Sequence, residues 1–283
     1  MKRFNHFSIA YKKIDEEKFK VVPNPKYGWA ADPFLVEYRD EIYLFAEIFL
    51  YNSERNGVIG YCRYNGDGFS EWQITMDKHW HLSYPNVFVV KDELYMCPES
   101  YQAGEVAIYR LLEFPDKWEK VKTIVDNVEY CDSTFIEVNN EKYMFTYERS
   151  GSFKRGRGLL CKLSEDGIHK TRVISESSMG NRPAGNVLVE DGKYIRVAQY
   201  SKDEYGQGLM LFQIDSFEPI YKEHEIKCVM PQDIKVDFAK NIVGIHTYNR
   251  LKDIEVIDVK YREFSLREYI AQKRVRKIFL NKY

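Results

Sequence analysis

A repeated hairpin constrains this chain more than any other feature. The stretch Trp29–Glu47, W-A-A-D-P-F-L-V-E-Y-R-D-E-I-Y-L-F-A-E, returns at Tyr84–Glu99, Cys131–Glu148 and Arg182–Gln199, with a fainter fifth copy from Gly244 to Asp258. Each copy has a polar or proline-containing opening, an apolar strand, a tight turn and a second apolar strand. The turn reads Asp or Asn, two residues, then Tyr; Tyr43, Tyr95, Tyr143 and Tyr194 mark it at spacings of 52, 48 and 51 residues. Self-similarity at about 40–50 residues is the mark of a propeller blade, a small sheet that buries its faces only against its neighbours. The chain therefore reads as all-β, a five-bladed β-propeller over residues 1–262, with blades starting near 29, 81, 131, 182 and 244. A short C-terminal helix is expected over 263–283. A strand at His6–Tyr11 is placed to complete the last blade, with Phe7–Tyr11 beside Ile254–Tyr261, because ring closure removes exposed sheet edges.

Composition narrows the function. Forty-two basic and 43 acidic residues leave a formal charge of −1, which gives no global case for nucleic acid. The 22 tyrosines suit half-buried strands first and a carbohydrate surface second. Five scattered cysteines without a C-x-x-C pair suit a reducing compartment better than a disulfide framework or a zinc site. The N-terminus has no apolar run of signal-peptide length, so the expected location is cytoplasmic.

The tail Ser265–Tyr283 is different in kind. It pairs a Ser at a helix-capping position with Glu268 three residues on, an imperfect apolar stripe, and six basic residues against one acid. It reads as a helix docked on the ring with a solvated basic face, or as a peripheral helix on an anionic membrane surface. On the second reading, deleting Ser265–Tyr283 abolishes co-sedimentation with anionic vesicles; unchanged sedimentation reduces the tail to packing.

Innermost strands line a propeller's axis, so the repeat openings deliver side chains to one funnel. They carry Asp32; His81, Tyr84 and Asn86; Asp132; Arg182 and Asn186; and His246 and Asn249. The hairpin ends add Glu47, Glu99, Glu148 and Gln199. Converging carboxylates are what glycosyl chemistry needs, one to protonate a leaving oxygen and one to assist attack. Arg182 offers a guanidinium for a phosphate or carboxylate of a sugar, extended by Arg155 and Arg157 of the basic glycine-rich loop Arg149–Gly158, or else an ion pair with Asp132 or Asp32. His246 is either a structural hydrogen-bonding group or a ligand to an axial cation; the first is the simpler reading, and no metal site is assigned. No Walker loop, H-E-x-x-H or G-x-S-x-G motif is present.

The ordered set A-D-P-F-L…L-F-A-E, H-L-S-Y-P…Y-M-C-P-E-S, D-S-T-F, R-P-A-G-N and G-I-H-T-Y-N resembles the N-terminal five-bladed propeller of glucosamine inositolphosphorylceramide transferases. It is more distantly similar to family-43 glycoside hydrolases. That second resemblance implies Asp32 as general base and Asp132 as the Asp that orients and tunes. It also implies a fourth-blade Glu as acid, but this chain has N-R-P-A-G-N there, leaving Glu99 or Glu148 as substitutes. The expected catalytic set is therefore Asp32, Asp132 and Glu99. The expected substrate-binding set is His81, Tyr84, Asn86, Glu148, Arg182, Asn186, His246 and Asn249. The resemblance implies glycosyl transfer in the cytoplasmic assembly of a surface polysaccharide or glycolipid, with a nucleotide sugar as donor. The alternatives are a glycoside hydrolase and a non-catalytic glycan-binding or scaffold module.

Overall fold

The computed structural model describes residues 4–51, 53, 57–152, 154–239 and 241–263. Five antiparallel sheets make up this region, in the order of the sequence repeat. Blade one is Gly28–Tyr38, Glu41–Leu50, Gly57–Arg63 and Gln73–Met76. Blade two is Ser83–Val90, Glu93–Glu99, Glu105–Glu113 and Lys117–Asp126. Blade three is Tyr130–Val138, Glu141–Glu148, Arg157–Ser164 and Gly167–Ser175. Blade four opens with Met179–Pro183 and Leu188–Glu190, then continues through Lys193–Tyr200, Gly208–Ser216 and Lys222–Val229.

Blade five joins the two ends of the chain. Its inner segments Ile242–Gly244 and Tyr248–Leu251 pair with Ile254–Glu263, which pairs in turn with the N-terminal strand Phe4–Lys13 and then Lys20–Val22. The register, Phe7 opposite Lys260 and Tyr11 opposite Val256, is the closure that the sequence leads one to expect. The helix expected over 263–283 lies outside the described residues beyond Glu263, which ends its strand. Among the described residues the helical turns are the 3-10 segments Tyr101–Ala103 and Pro231–Asp233. No helix among them is long and apolar enough to cross a membrane.

Burial shows why the ring holds. Each blade shares an apolar cluster with the next, so every strand face that the alternating pattern makes apolar meets a partner. Phe34 and Phe45 of blade one meet Leu94 and Met96 of blade two. Cys97 and Val106 meet Met144 and Leu159 across the second seam, and Phe145 meets Ile214 and Phe217 across the third. Leu209 and Val197 meet Ile257 and Val259, and Ile9 and Val256 return to Leu44 and Ile48. The repeated tyrosines belong to this packing: Tyr143 lies 4.8 Å from Phe217, and Tyr194 meets the same ring edge-on at 5.7 Å.

Candidate functional site

One irregularity, repeated, builds the site. In blades one, two and three the innermost strand carries two residues where its partner carries one. The pairings Ala31–Glu47 and Phe34–Phe45, Ser83–Glu99 and Asn86–Cys97, and Cys131–Tyr147 and Thr134–Phe145 bracket the three bulges. The first bulged residue has a left-handed backbone each time: Asp32 at φ 53°, Tyr84 at φ 43° and Asp132 at φ 54°. Such conformations are uncommon for residues other than glycine and turn the side chain out of the ladder's alternation. The bulge thereby aims Asp32, Tyr84 and Asp132 inward at the axis.

In an antiparallel blade the start of the first strand, the end of the second and the loop leading to the third lie at the same rim. Those three kinds of segment enclose a cavity of about 280 Å³ at one end of the axis. Asp32, Glu47, Glu99, His81, Arg149 and Arg182 give it charge, and Trp29, Tyr101, Tyr147, Tyr205 and Phe7 give it aromatic walls, with His246 beneath. Trp29 is stacked on Phe49 at 4.6 Å and Phe7 on His246 at 4.9 Å, so these faces are braced from behind. Tyr147 fits because Gly156 has no side chain: a Cβ there would sit 2.1 Å from the phenol ring.

The carboxylates are held by opposing forces. Asp32 accepts from the Thr247 hydroxyl at 2.7 Å and from the Tyr84 N–H at 3.2 Å. Burial raises its pKa to about 6; His246 and the Thr247 bond oppose the rise, while Asp132 and Asp258 add to it. Glu99 is raised further, to about 8, by burial first and then by Asp132, with Arg182 opposing. Glu47 is also pushed well above the usual range by burial, then by Asp32 and Glu99; its Oε1 lies 3.5 Å from His81 Nε2. Burial and mutual repulsion thus act on all three acids in the same direction, favouring the protonated form.

Beneath them, His246 Nδ1 meets Asp258 Oδ2 at 2.5 Å and lies 3.7 Å from Asp32 Oδ1. Burial works against a charged imidazole, but Asp258, Asp32 and Asp132 together outweigh it and the pKa of His246 rises. Asp258 also accepts from the N–H groups of Asp32, His246 and Thr247, so one buried carboxylate ties blade five to blade one. Ligand atoms of Asp32, His246 and Asp258 lie within 4.8 Å of one another, a spacing compatible with a cation. The hydrogen bonds already made by these three residues give the structural reading of His246 its support.

Several other expected residues are placed differently. Arg182 is an ion-pair residue: its Nε and Nη2 clasp Asp132, the latter contact at 3.2 Å, and Nη2 reaches Glu99 at 3.5 Å. Burial works against that charge, and Asp132 together with Tyr205 and Cys131 outweighs it. Glu148 faces away from the cavity and pairs with Arg157 at 2.6 Å. The residue level with Glu47 and Glu99 in the ladder is Tyr147, and a shift of one position moves a side chain to the other face. Arg155 is exposed and lines no part of the cavity, whereas Arg149, two residues beyond Tyr147 on the same face, does.

Tyr84 is fully buried across the axis. Its hydroxyl bonds Thr134 Oγ1 at 2.8 Å and accepts from the Gly185 N–H at 2.7 Å, joining blades two, three and four. Asn86, Asn186 and Asn249 lie beyond it. The Asn86 amide donates to Asn186 Oδ1 at 2.7 Å, and Asn249 accepts from the Asn186 N–H and donates to the Pro33 carbonyl. Asn86 and Asn186 border a separate cavity with Phe88 and Phe135, so neither touches a ligand held by Asp32.

The sequence and the ring match known proteins. Residues 22–260 match the family model described as glucosamine inositolphosphorylceramide transferase 1, N-terminal. Glucosamine inositolphosphorylceramide transferase 1 of Oryza sativa subsp. indica is 30% identical over 238 residues, covering 80% of this chain and 30% of that protein. The Arabidopsis thaliana protein of the same name is 30% identical over 234 residues, covering 78% and 30% respectively. The chain thus spans under a third of the length of these relatives. Among solved structures, the α-L-arabinofuranosidase PaAbf62A from Podospora anserina, in complex with cellotriose, covers 85% of this chain and 94% of its own at 10% identity and TM-score 0.62. The catalytic domain of a Coprinopsis cinerea GH62 α-L-arabinofuranosidase covers 90% and 97% at 11% identity and TM-score 0.63. These two share the fold. With nearly the whole ring inside the family match, the chain belongs to the glucosamine inositolphosphorylceramide transferase 1 N-terminal family.

Proposed function

We propose that the cavity holds a sugar and carries out acid–base-assisted glycosyl transfer to a hydroxyl acceptor. The observation that carries this reading is a pair of buried carboxylates with separated pKa values, Asp32 at about 6 and Glu99 at about 8, facing one aromatic-lined cavity. At neutral pH Glu99 keeps its proton and gives it to the departing oxygen as the glycosidic C–O bond breaks. Asp32 takes the proton of the attacking hydroxyl as the new C–O bond forms. Both groups return to their starting state when protons exchange with solvent. Asp132, clasped by Arg182, is a positioning residue that keeps charge beside Glu99 and so helps it stay protonated. Trp29, Tyr101 and Tyr147 offer apolar faces to sugar C–H groups.

The names of the relatives favour transfer over hydrolysis; the donor in this reading is a nucleotide sugar. A cytoplasmic place, peripheral to the membrane, fits a donor of that kind and the basic composition of the tail. Hydrolysis is the second reading, favoured by the solved neighbours and by the same two carboxylates.

The test is a screen of nucleotide sugars with sugar-hydroxyl acceptors, and of aryl glycosides with water, followed by a pH profile of kcat/KM. The rate should rise as Asp32 loses its proton near pH 6 and fall as Glu99 loses its proton near pH 8, with an optimum close to 7. Glu148→Gln, outside the cavity, should leave the profile in place. A flat profile between pH 5 and 9, measured on any substrate that turns over, would remove the acid–base pair.

A further inference from the structure

Arg149 and Arg182 both line the cavity, yet their circumstances differ. Arg182 is neutralised by Asp132 and lies between the rings of Tyr147 and Tyr205 at 5.3 and 5.2 Å. Arg149 lies over Tyr101, with its guanidinium carbon 3.9 Å from the ring centroid. Among the described residues no carboxylate lies within ion-pair distance of it. The Tyr101 hydroxyl and Glu129 support its charge, and a guanidinium carries five N–H donors, more than one tyrosine hydroxyl takes up. A cation held this way is preorganised for a planar or tetrahedral anion, since its side-chain entropy is already reduced.

The loop that carries Arg149 adds to the field. Gly151 and Ser152 line the same cavity, and Gly151 has φ 73°, a left-handed turn that glycine takes readily. Lys154 and Arg155 follow, both exposed. Asp32, Glu47 and Glu99 line the same cavity; burial pushes the carboxyls of Glu47 and Glu99 up, and Arg182 lies beside Glu99.

We propose that Arg149 and the loop Ser150–Ser152 form an anion subsite, so that the sugar entering the cavity carries a carboxylate or a phosphate. The proposal rests on the cavity being a sugar site and adds the class of sugar. Carboxylate and phosphate present the same chemistry to a guanidinium, and the choice between them is left to the test.

The experiment is isothermal titration of the full chain with a set of neutral hexoses, the matching uronic acids and the matching hexose 1-phosphates. At least one anionic series should bind about tenfold or more tightly than its neutral parent, and the advantage should shrink as salt rises. Arg149→Gln should bring the anionic sugar down to the level of the neutral one, and Arg149→Lys should retain part of the preference. The series that benefits identifies the anion. Equal binding of neutral and anionic sugars by the unaltered chain, or a preference that survives Arg149→Gln, overturns the subsite and leaves the sugar site standing. Binding of no sugar of any series overturns both.

Discussion

Exchanging Arg182 for leucine is expected to cost about 3–5 kcal/mol of stability, the usual penalty for leaving one half of a buried ion pair without its partner. Asp132 is 2% exposed and its principal cationic contact is this guanidinium, so the variant strands its charge among the walls of the cavity. For a domain whose whole margin is about 5–15 kcal/mol, that loss is plain in a urea titration. Replacing Asp132 by leucine in the same chain should recover most of it, because the pair taken together also carries the cost of desolvating two charges. A single-variant loss below about 1 kcal/mol would mean that water or another cation reaches Asp132, and the ion pair would then not organise the site.

Asp32→Asn is expected to lower turnover by about 10²–10⁴-fold, the usual range for removing a positioned general base. The amide keeps an acceptor for Thr247 but sets donors against the Tyr84 N–H, so a modest change in stability accompanies it. The shape of the pH profile separates chemistry from structure. Asp32→Asn should erase the acidic limb and keep the alkaline one, whereas Glu99→Gln should erase the alkaline limb. Full activity in the Asp32→Asn variant would strike Asp32 from the mechanism.

The fold was legible because the repeat imposes it. Four tyrosines at near-constant spacing mark turns, and each hairpin has apolar faces that only a neighbouring hairpin can cover. Asp32 was legible for a related reason, as one of several polar residues at equivalent repeat openings; the bulge that aims it at the axis is what the structure adds. Glu148 was misplaced by one residue. The motif ends in Y-E in blade three and in A-E or P-E in blades one and two, so matching the letter Glu reversed the face. Counting four residues from the marker tyrosines Tyr43, Tyr95 and Tyr143 gives Glu47, Glu99 and Tyr147, and the ladder agrees.

Asn86, Asn186 and Asn249 are polar and repeat-equivalent, as expected of ligand contacts, but they bond to one another and to backbone away from the cavity that holds Asp32. Sequence gives composition at a position without saying which groups already satisfy it. Tyr101 and Tyr205 sit in the connections between second and third strands, where the repeat is weakest, and of the basic loop Arg149–Gly158 it is Arg149 that lines the cavity in place of Arg155 and Arg157. Strand direction alone places those connections at the same rim as the inner openings, and that signal was available before any coordinates.

The phenol of Tyr84, locked between Thr134 and Gly185, has a consequence for what the molecule can handle. It turns the hole through the ring into a blind well. A long polymer cannot thread such a well, so only a chain terminus or a free sugar can reach the bottom. Whatever enters must leave by the way it came, with one encounter completed before the next begins.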